Sequence, residues 1–206
     1  MISEPLTRFL DRLASAEPTP GGGSASAVAG AMAAALLAMV SRLTKAKEGS
    51  ASIEAVAGKM DQGRKTLLDL AAKDAQAFED VLRAMRLAKE TDDQRRERQQ
   101  AIQRALIEAA AVPLAVAAHA HDVLKSAVLV AREGNVNAVS DAGVAALLVH
   151  AAVHGAILNV RINLSSIKDH GYVEATEARA KELGSASDRL RDEVMGIVHS
   201  RLARLG

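Results

Sequence analysis

The sequence has no cysteine, no tryptophan and only three other aromatic residues, two phenylalanines and one tyrosine, in 206 positions. Without cysteine the chain has no disulfide, no thiol nucleophile and no cysteine-bound iron–sulfur cluster. So few aromatic rings provide no platform on which nucleic-acid bases could stack, and a net charge of +1 supplies no strongly basic surface. We therefore expect no nucleic-acid partner.

Proline is scarce as well, with 4 residues, whereas hydrophobic residues make up 49% of the chain. The core must be filled by alanine, leucine, valine and isoleucine, and long runs of alanine, leucine, glutamate and arginine favour helices. No strand-like alternation, internal repeat or long linker competes with this interpretation. We predict a single all-α domain, residues 1–206, folded as an up-and-down antiparallel bundle of about five to six helices.

The sequence does not favour a membrane location. Residues 21–41 carry no charge and are long enough to span a bilayer, but the first half of this stretch is mainly glycine, serine and alanine, so we interpret it as a buried helix. The N-terminus lacks the basic stretch followed by an apolar run that marks a secretory signal peptide. We expect a cytoplasmic protein without a membrane partner.

Polar residues on otherwise apolar helix faces are the candidates for function. In the predicted fifth helix, helical spacing puts Asp141, Asn159 and Asn163 on one stripe of small or apolar residues. Asp74 lies in the same way on an apolar face of the third helix. A carboxylate is costly to bury unless it is paired or hydrogen-bonded. Each aspartate is therefore either part of a structural ion pair or helix cap, or a functional group with a raised pKa.

Two histidines four residues apart, His150 and His154, have the spacing of a metal-binding pair. They project to the opposite side of the helix from Asp141, together with Arg161 and Lys168. No cysteine and no Glu-x-x-His motif supports a metal centre. We predict a solvated face here and no metal.

A glycine-rich turn, residues 18–24, leads into the second helix, which we predict from about Ser24 to Lys47. Its residues Gly21, Gly22, Gly23 and Ser24 would present backbone N–H groups and the positive end of the helix dipole, which suits an anion or a polar ring edge. The turn matches neither the phosphate-binding loop nor the dinucleotide motif, and the alternative interpretation is a flexible turn. Farther along the same helix, Thr44 is a small hydroxyl residue that either packs closely or contacts a ligand.

Four segments, taken together and in this order, resemble the cyclodeaminase family, which includes the cyclodeaminase domain of formiminotransferase-cyclodeaminase and methenyltetrahydrofolate cyclohydrolases. The similarity extends from about residue 6 to residue 168, and Leu87-Ala88-Lys89 departs from the Leu-Pro-Lys of many members. The segments are Pro18-Thr-Pro-Gly-Gly-Gly-Ser24, Asp74-Ala-x-Ala-Phe78-x-x-Val81, Gly134-Asn-x-Asn137-x-x-Ser140-Asp141-x-Gly-Val-Ala-Ala and Asn159-Val-x-Ile-Asn163-Leu164.

The resemblance implies an all-helical homodimer with a folate-binding cleft and one of two activities. The first closes 5-formiminotetrahydrofolate to 5,10-methenyltetrahydrofolate and releases ammonia. The second hydrolyses 5,10-methenyltetrahydrofolate to 10-formyltetrahydrofolate. Neither reaction needs a metal or a covalent nucleophile, so we expect no cofactor beyond the tetrahydrofolate substrate. We also expect a standalone member of the family without a transferase domain.

Each candidate residue then has a hypothetical role. Asp141 or Asp74 would transfer the proton, and the Gly21–Ser24 turn would contact the ring edge or the glutamate tail. Lys45 or another basic residue would pair with the carboxylates of that tail. The pterin and the reacting carbon would be oriented by Asn135, Asn137, Asn159 and Asn163. Two further candidates for contact with the substrate are Thr44 and Ser140. Two alternatives stay open, a folate-binding helical dimer without catalysis and a purely structural bundle.

Overall fold

The computed structural model of the chain describes residues 5–44 and 51–205. Within these residues the chain forms six helices and no strand, which confirms the predicted all-α bundle. The helices are α1 (Leu6–Leu13), α2 (Gly22–Leu43), α3 (Ala51–Met85), α4 (Asp92–Glu133), α5 (Val139–Leu164) and α6 (His170–Leu202). A single 3-10 turn, Val136–Ala138, joins α4 to α5.

Helix α4 is the centre of the bundle, since it packs against α2, α3, α5 and α6. Its buried side chains are mostly alanine and valine, such as Ala110 and Val116. Small residues also let neighbouring helices approach closely: a Cβ on Gly30 of α2 would lie 3.2 Å from Leu67 of α3. The core is thus filled in the way that the composition predicts, and α4 continues as a helix through Pro113.

Both ends of α4 are fixed by side chains. At the start, Thr91 and Gln94 form a capping box in which each side chain accepts a hydrogen bond from the other's backbone N–H. At the end, Arg201 of α6 donates hydrogen bonds to the carbonyl oxygens of Ala131 (2.7 Å) and Gly134 (2.8 Å). These carbonyls have no partner within their own helix, so the arginine satisfies them.

Helix α6 packs along one side of α5. Arg161 of α5 forms an ion pair with Glu177 of α6 (2.7 Å), and both His150 and His154 contact Asp188 of α6. The predicted solvated face is therefore partly covered by α6 at the two histidines, whose side chains stay 23% and 41% exposed. The sequence pattern of α5 could not reveal this, because the covering residues lie more than thirty positions away in the sequence.

Three segments, Gly22–Leu43, Asp92–Glu133 and Val136–Leu164, are long and apolar enough to cross a membrane, judged by length and composition alone. In the bundle, 61%, 44% and 50% of their most apolar stretches are buried inside the protein. Since α2 and α5 lie side by side, their remaining apolar surfaces form one outer face, which we call the α2–α5 face. Its large exposed side chains are Met32, Met39, Val144, Leu147, Leu158 and Ile162.

Candidate active site

A cavity of about 210 Å³ lies where the N-terminal end of α2 meets the C-terminal halves of α3 and α5. Asp74 is the one titratable side chain among the described residues that line it. The lining residues are Pro18, Thr19, Gly21, Gly22, Gly23, Asp74, Phe78, Ala109, Asn159, Ile162 and Asn163. Six residues that the sequence analysis selected for function thus share one cavity.

The carboxylate of Asp74 is held against the first turn of α2. Ser24 Oγ donates a hydrogen bond to Asp74 Oδ2 (2.9 Å) and also lies 3.0 Å from the carbonyl oxygen of Ala71. A Cβ on Gly23 would lie only 2.2 Å from Asp74 Oδ1. Helix α2 begins at Gly22, two residues earlier than predicted, so Gly23 and Ser24 belong to the helix rather than to the preceding turn. Only glycine at position 23 lets the carboxylate approach so closely.

Burial raises the pKa of the Asp74 carboxyl group above its ordinary value, because the ionised form loses its hydration. Hydrogen bonds from the side chain and the backbone N–H of Ser24 favour the ionised form and partly oppose this effect. The net direction is upward, which moves the group towards the pH at which a carboxyl can both accept and return a proton.

We expect the variant Asp74→Asn to gain stability over the wild type as the pH rises. A raised pKa means that the stability contributed by the carboxyl group is complete below its unfolded-state pKa and is lost as the pH rises through the folded-state pKa. Asparagine has no charge to desolvate, so the difference in Tm should grow as the pH rises above the ordinary aspartate pKa of about 4 and level off above the folded-state pKa. Thermal unfolding followed by circular dichroism across this range measures it, and a pH-independent difference would contradict the assignment.

Two asparagines form the opposite wall of the cavity, and backbone carbonyls fix their amide groups. Asn163 Nδ2 donates to the carbonyl oxygens of Ala109 (2.7 Å) and Asn159 (3.0 Å), and Asn159 Nδ2 donates to that of Gly155 (2.9 Å). Asn163 uses both N–H groups of its amide in this way and Asn159 uses one of two, so the two amide oxygens and the second N–H of Asn159 are the groups available to a ligand. Gly22 faces Asn159 closely, since a Cβ there would lie 3.1 Å from Nδ2.

A second group of predicted residues lies at the other end of α2 and α5. Thr44 Oγ1 donates to the carbonyl oxygen of Val40 (2.8 Å) and accepts from the backbone N–H of Asn135 (2.9 Å). Asn135 Nδ2 donates to the carbonyl oxygen of Leu43 (3.0 Å), and its Oδ1 accepts from the N–H of Asn137 (3.0 Å). The polar groups of Thr44 and Asn135 therefore hold the end of α2 to the turn that precedes α5.

Asp141 belongs to this second group. It is half-buried in the first turn of α5, next to the exposed Ser140. The helix separates Asp141 from Asn159 by 18 positions, which corresponds to about 27 Å at about 1.5 Å per residue. A single chain therefore does not bring Asp141 and Asp74 to the same site, although the sequence analysis treats them as alternatives for one role. Lys45 lies outside the described residues.

Three arginines that the sequence analysis did not select lie beside the cavity. A neighbouring cleft of about 410 Å³ shares Pro18 and Thr19 with the cavity, and its charged lining residues are Arg12, Arg83 and Arg86 together with Glu17 and Glu79. Arg83 forms an ion pair with Asp80 (2.6 Å). The four-residue spacing of positions 74, 78, 82 and 86 along α3 and just beyond it was the available signal.

Fold and cavity together define an all-helical protein whose candidate site consists of one carboxylate and two amides at a helix N-terminus. The sequence model of the formiminotransferase-cyclodeaminase family matches residues 5–182. The chain belongs to the formiminotransferase-cyclodeaminase family, which confirms the resemblance. It is 40% identical over 205 residues to the methenyltetrahydrofolate cyclohydrolase of Methylorubrum extorquens, a match that covers 96% of this chain and 99% of that protein.

Other relatives are longer. The chain is 33% identical over 187 residues to the formimidoyltransferase-cyclodeaminase of Sus scrofa, covering 89% of this chain and 35% of that protein. It therefore spans little more than a third of that relative. Among solved structures, the formiminotetrahydrofolate cyclodeaminase of Thermotoga maritima superposes with a TM-score of 0.86 at 33% identity, covering 97% of this chain and 98% of that one.

Proposed function

We propose that this protein is a folate one-carbon enzyme that hydrolyses 5,10-methenyltetrahydrofolate to 10-formyltetrahydrofolate, with Asp74 as the proton-transfer group. The observation that carries the proposal is the carboxyl group of Asp74, which faces a cavity, has a raised pKa and touches the first turn of α2. The nearly full-length similarity to the Methylorubrum cyclohydrolase supports the choice of reaction.

The reaction balances with water alone. As the oxygen of a water molecule bonds to the methenyl carbon, the carboxylate of Asp74 takes one of its protons. The resulting tetrahedral carbon is attached to both folate nitrogens at positions 5 and 10. Asp74 then returns the proton to the nitrogen at position 5 as the bond from that nitrogen to the carbon breaks. The remaining hydroxyl proton leaves to solvent, and 10-formyltetrahydrofolate is the product.

The surroundings of Asp74 support both proton transfers of this reaction, the one from water and the one to the nitrogen at position 5. The positive end of the α2 dipole stabilises the ionised carboxylate, and that carboxylate stabilises the positive charge of the methenyl group. The fixed amide oxygens of Asn159 and Asn163 can accept hydrogen bonds from N–H groups of a pterin ring. Since these groups are held by backbone contacts before the substrate arrives, little reorganisation is needed in the transition state.

The second candidate reaction is ring closure of 5-formiminotetrahydrofolate with release of ammonia, and the similarity to the Thermotoga cyclodeaminase favours it. Here Asp74 would take the proton from the nitrogen at position 10 and give a proton to the departing ammonia.

The absorbance of 5,10-methenyltetrahydrofolate distinguishes the two reactions. With purified enzyme near neutral pH, loss of the signal above the blank supports the hydrolase. Its faster appearance from the formimino compound, with ammonia released, supports the cyclodeaminase instead. If neither rate exceeds the blank while the folate binds, the protein is a folate-binding bundle without catalysis.

The arginine-lined cleft beside the cavity is suited to the glutamate tail of the folate, because its cations lie next to the proposed pterin site. We expect Arg86→Gln to raise KM for a polyglutamylated substrate by roughly 5–30-fold, the range that 1–2 kcal/mol represents, with kcat unchanged. The effect on a substrate without a tail should be small. Steady-state kinetics with both substrates test this, and equal changes in KM for the two would place the tail elsewhere. Arg104→Gln, an exposed arginine on α4, is the control.

Homodimer formation through the α2–α5 face is part of the proposal. Two exposed apolar positions of α5 are symmetric about Ala151, since Val144 and Leu158 lie seven residues on either side of it; Ile162 lies eleven residues after it, opposite the exposed Ser140 eleven residues before it. A two-fold axis at Ala151 would therefore pair α5 with a second copy of itself in the antiparallel direction. The large side chains there are 48–68% exposed, and a second copy would remove them from water.

This arrangement would also complete the site. In an antiparallel pair, the C-terminal half of α5, which borders the cavity, lies beside the N-terminal end of the partner's α5. Asp141, Ser140 and Asn137 of one copy would then approach the cavity that contains Asp74 of the other copy. The two groups of predicted residues, separated by the length of α5 within one chain, would meet across the dimer.

Mixing the two variants Asp74→Asn and Asp141→Asn tests the shared site. If Asp74 and Asp141 act on one substrate from different copies, a heterodimer of Asp74→Asn and Asp141→Asn contains one fully native site. Random association of equal amounts then restores about a quarter of the wild-type activity, because half of the dimers carry one native site of two. Co-refolded mixtures measure this against each variant alone. Mixtures no more active than their components would mean that each site uses a single chain.

We also propose that the protein acts in the cytoplasm, without a membrane partner and without a cofactor beyond its folate substrate. The proposed second copy would cover the apolar surface of α2 and α5 that a bilayer could otherwise contact. The absence of cysteine means that no bond in the fold depends on an oxidising compartment. The reaction as written consumes only water. Cell fractionation with an antibody against the chain tests the location, and recovery with the membranes would contradict it.

A further inference from the structure

Two histidines of α5 and one aspartate of α6 converge on a single point, on the side of α5 away from α2. The Nε2 atoms of His150 and His154 lie 2.7 Å and 3.0 Å from the same atom, Asp188 Oδ1. The two rings are 4.4 Å apart between their centroids and tilted by 47°. Since the histidines are four residues apart, one helical turn holds both rings on the same face.

We infer that His150, His154 and Asp188 form a binding site for a divalent transition-metal ion, with zinc as the best fit. One ligand atom from each residue lies within 4.8 Å of the other two. Zinc binds histidine nitrogen and carboxylate oxygen at about 2.0–2.2 Å, which places neighbouring ligand atoms of a tetrahedron roughly 3.3–3.5 Å apart. Small side-chain rotations would open the present contacts to that spacing and admit the ion.

The chemistry of the three residues favours a transition-metal ion over magnesium or calcium. Imidazole nitrogen is a preferred ligand of zinc, copper and nickel, whereas magnesium and calcium prefer oxygen atoms only. The side chains are 23%, 41% and 46% exposed, so an ion can enter from solvent and keep a water molecule in its fourth position.

The site is separate from the proposed folate cavity. Gly155 and Asn159 face α2, where Ser26 and Gly22 contact them, while His150 and His154 face α6. A bound ion would join α6 to α5 beside the close contact at Gly184, where a Cβ would lie 3.6 Å from the His154 ring. The bound ion would stabilise the packing of α6 against α5, and it takes no part in proton transfer at Asp74.

The test uses the full chain without an affinity tag, freed of metal by a chelator. Titration with zinc chloride by calorimetry should show saturation at one equivalent per chain and a higher Tm in the saturated protein. Cobalt chloride should produce visible absorption bands from the coordinated ion. In His150→Gln, His154→Gln and Asp188→Asn, loss of one ligand should weaken zinc binding by more than the roughly 10–100-fold that loss of an outer hydrogen-bond partner costs.

The matched control is His119→Gln, which removes an exposed histidine of α4 and should leave both titrations unchanged. Circular dichroism of each metal-free variant shows whether it is folded, and Asp188→Asn keeps the shape of the side chain if a histidine variant fails that check. Absence of saturable zinc binding in the wild type would overturn the inference. So would zinc binding that persists unchanged in the three ligand variants. Folate turnover of the metal-free protein should equal that of the zinc-bound protein.

Discussion

Replacing Asp74 by asparagine should lower kcat by about 10²–10⁴-fold, the range that a positioned general acid–base supplies. Asparagine has nearly the same shape as aspartate and can still accept the hydrogen bond from Ser24 Oγ, which is 2.9 Å from the carboxylate. It cannot take a proton from water or return one to nitrogen. KM should therefore change much less than kcat, since the walls of the cavity stay in place.

The measurement is steady-state turnover of 5,10-methenyltetrahydrofolate by the variant and the wild type at the same pH. Glu54→Gln is the control, because it removes one carboxylate from the exposed face of the same helix, twenty positions from Asp74. Turnover of Asp74→Asn within a few-fold of the wild type would assign proton transfer to another group. Asp141, supplied from the second copy, would then be the first residue to examine.

Replacing Gly23 by alanine should lower kcat/KM by about 10²-fold or more, because a displacement of about 1 Å at a reacting group costs this much. The added Cβ would lie 2.2 Å from Asp74 Oδ1 and 2.6 Å from its Cγ. Either the carboxylate rotates away from the cavity or the first turn of α2 moves. Both outcomes separate the proton-transfer group from the positive end of the helix.

The same substitution should also destabilise the fold by about 1–3 kcal/mol, as overpacking usually does. Gly58→Ala is a suitable control, since nothing lies within 4 Å of the Cβ it would add. It should stabilise the protein by about 0.5–1 kcal/mol, the gain expected for alanine over glycine inside a helix. A double variant identifies the cause: Gly23→Ala should cost little stability in an Asp74→Ala background, where the clashing carboxylate is gone. An unchanged cost would mean that the backbone, not the carboxylate, requires glycine.

Local sequence pattern was enough to predict the helices and one half of the site. Alanine-rich segments with a period of 3.6 residues can form little else, so the all-α bundle followed from composition and spacing. A run of glycines is typical of a turn, so the pattern predicts that α2 starts at Ser24, whereas the helix starts at Gly22. Here the contact between Gly23 and Asp74 outweighs that tendency.

Contacts between distant helices could not be predicted in the same way. Asp188 meets His150 and His154 across 38 and 34 positions of sequence, and nothing in the pattern of either helix sets how far one slides along the other. The separation of Asp141 from Asp74, in contrast, follows in part from the sequence. The sequence places both Asp141 and Asn159 in one helix, and the rise of about 1.5 Å per residue already requires these two residues to be far apart. Asn159 lines the cavity of Asp74, so Asp141 lies far from that cavity.

The uninterrupted course of α2 and α5 has a consequence for how relatives of this chain can vary in length. Helix α2 carries Ser24 at one end and Thr44 at the other, and α5 carries Asp141 and Asn163 in the same way. Deleting one residue between them would shorten the helix by about 1.5 Å and rotate everything beyond it by about 100°. One of the two polar groups would then point into the core. Insertions and deletions tolerated by natural selection should therefore fall in the connections before α2 and after α3, and leave the number of residues in α2 and α5 constant.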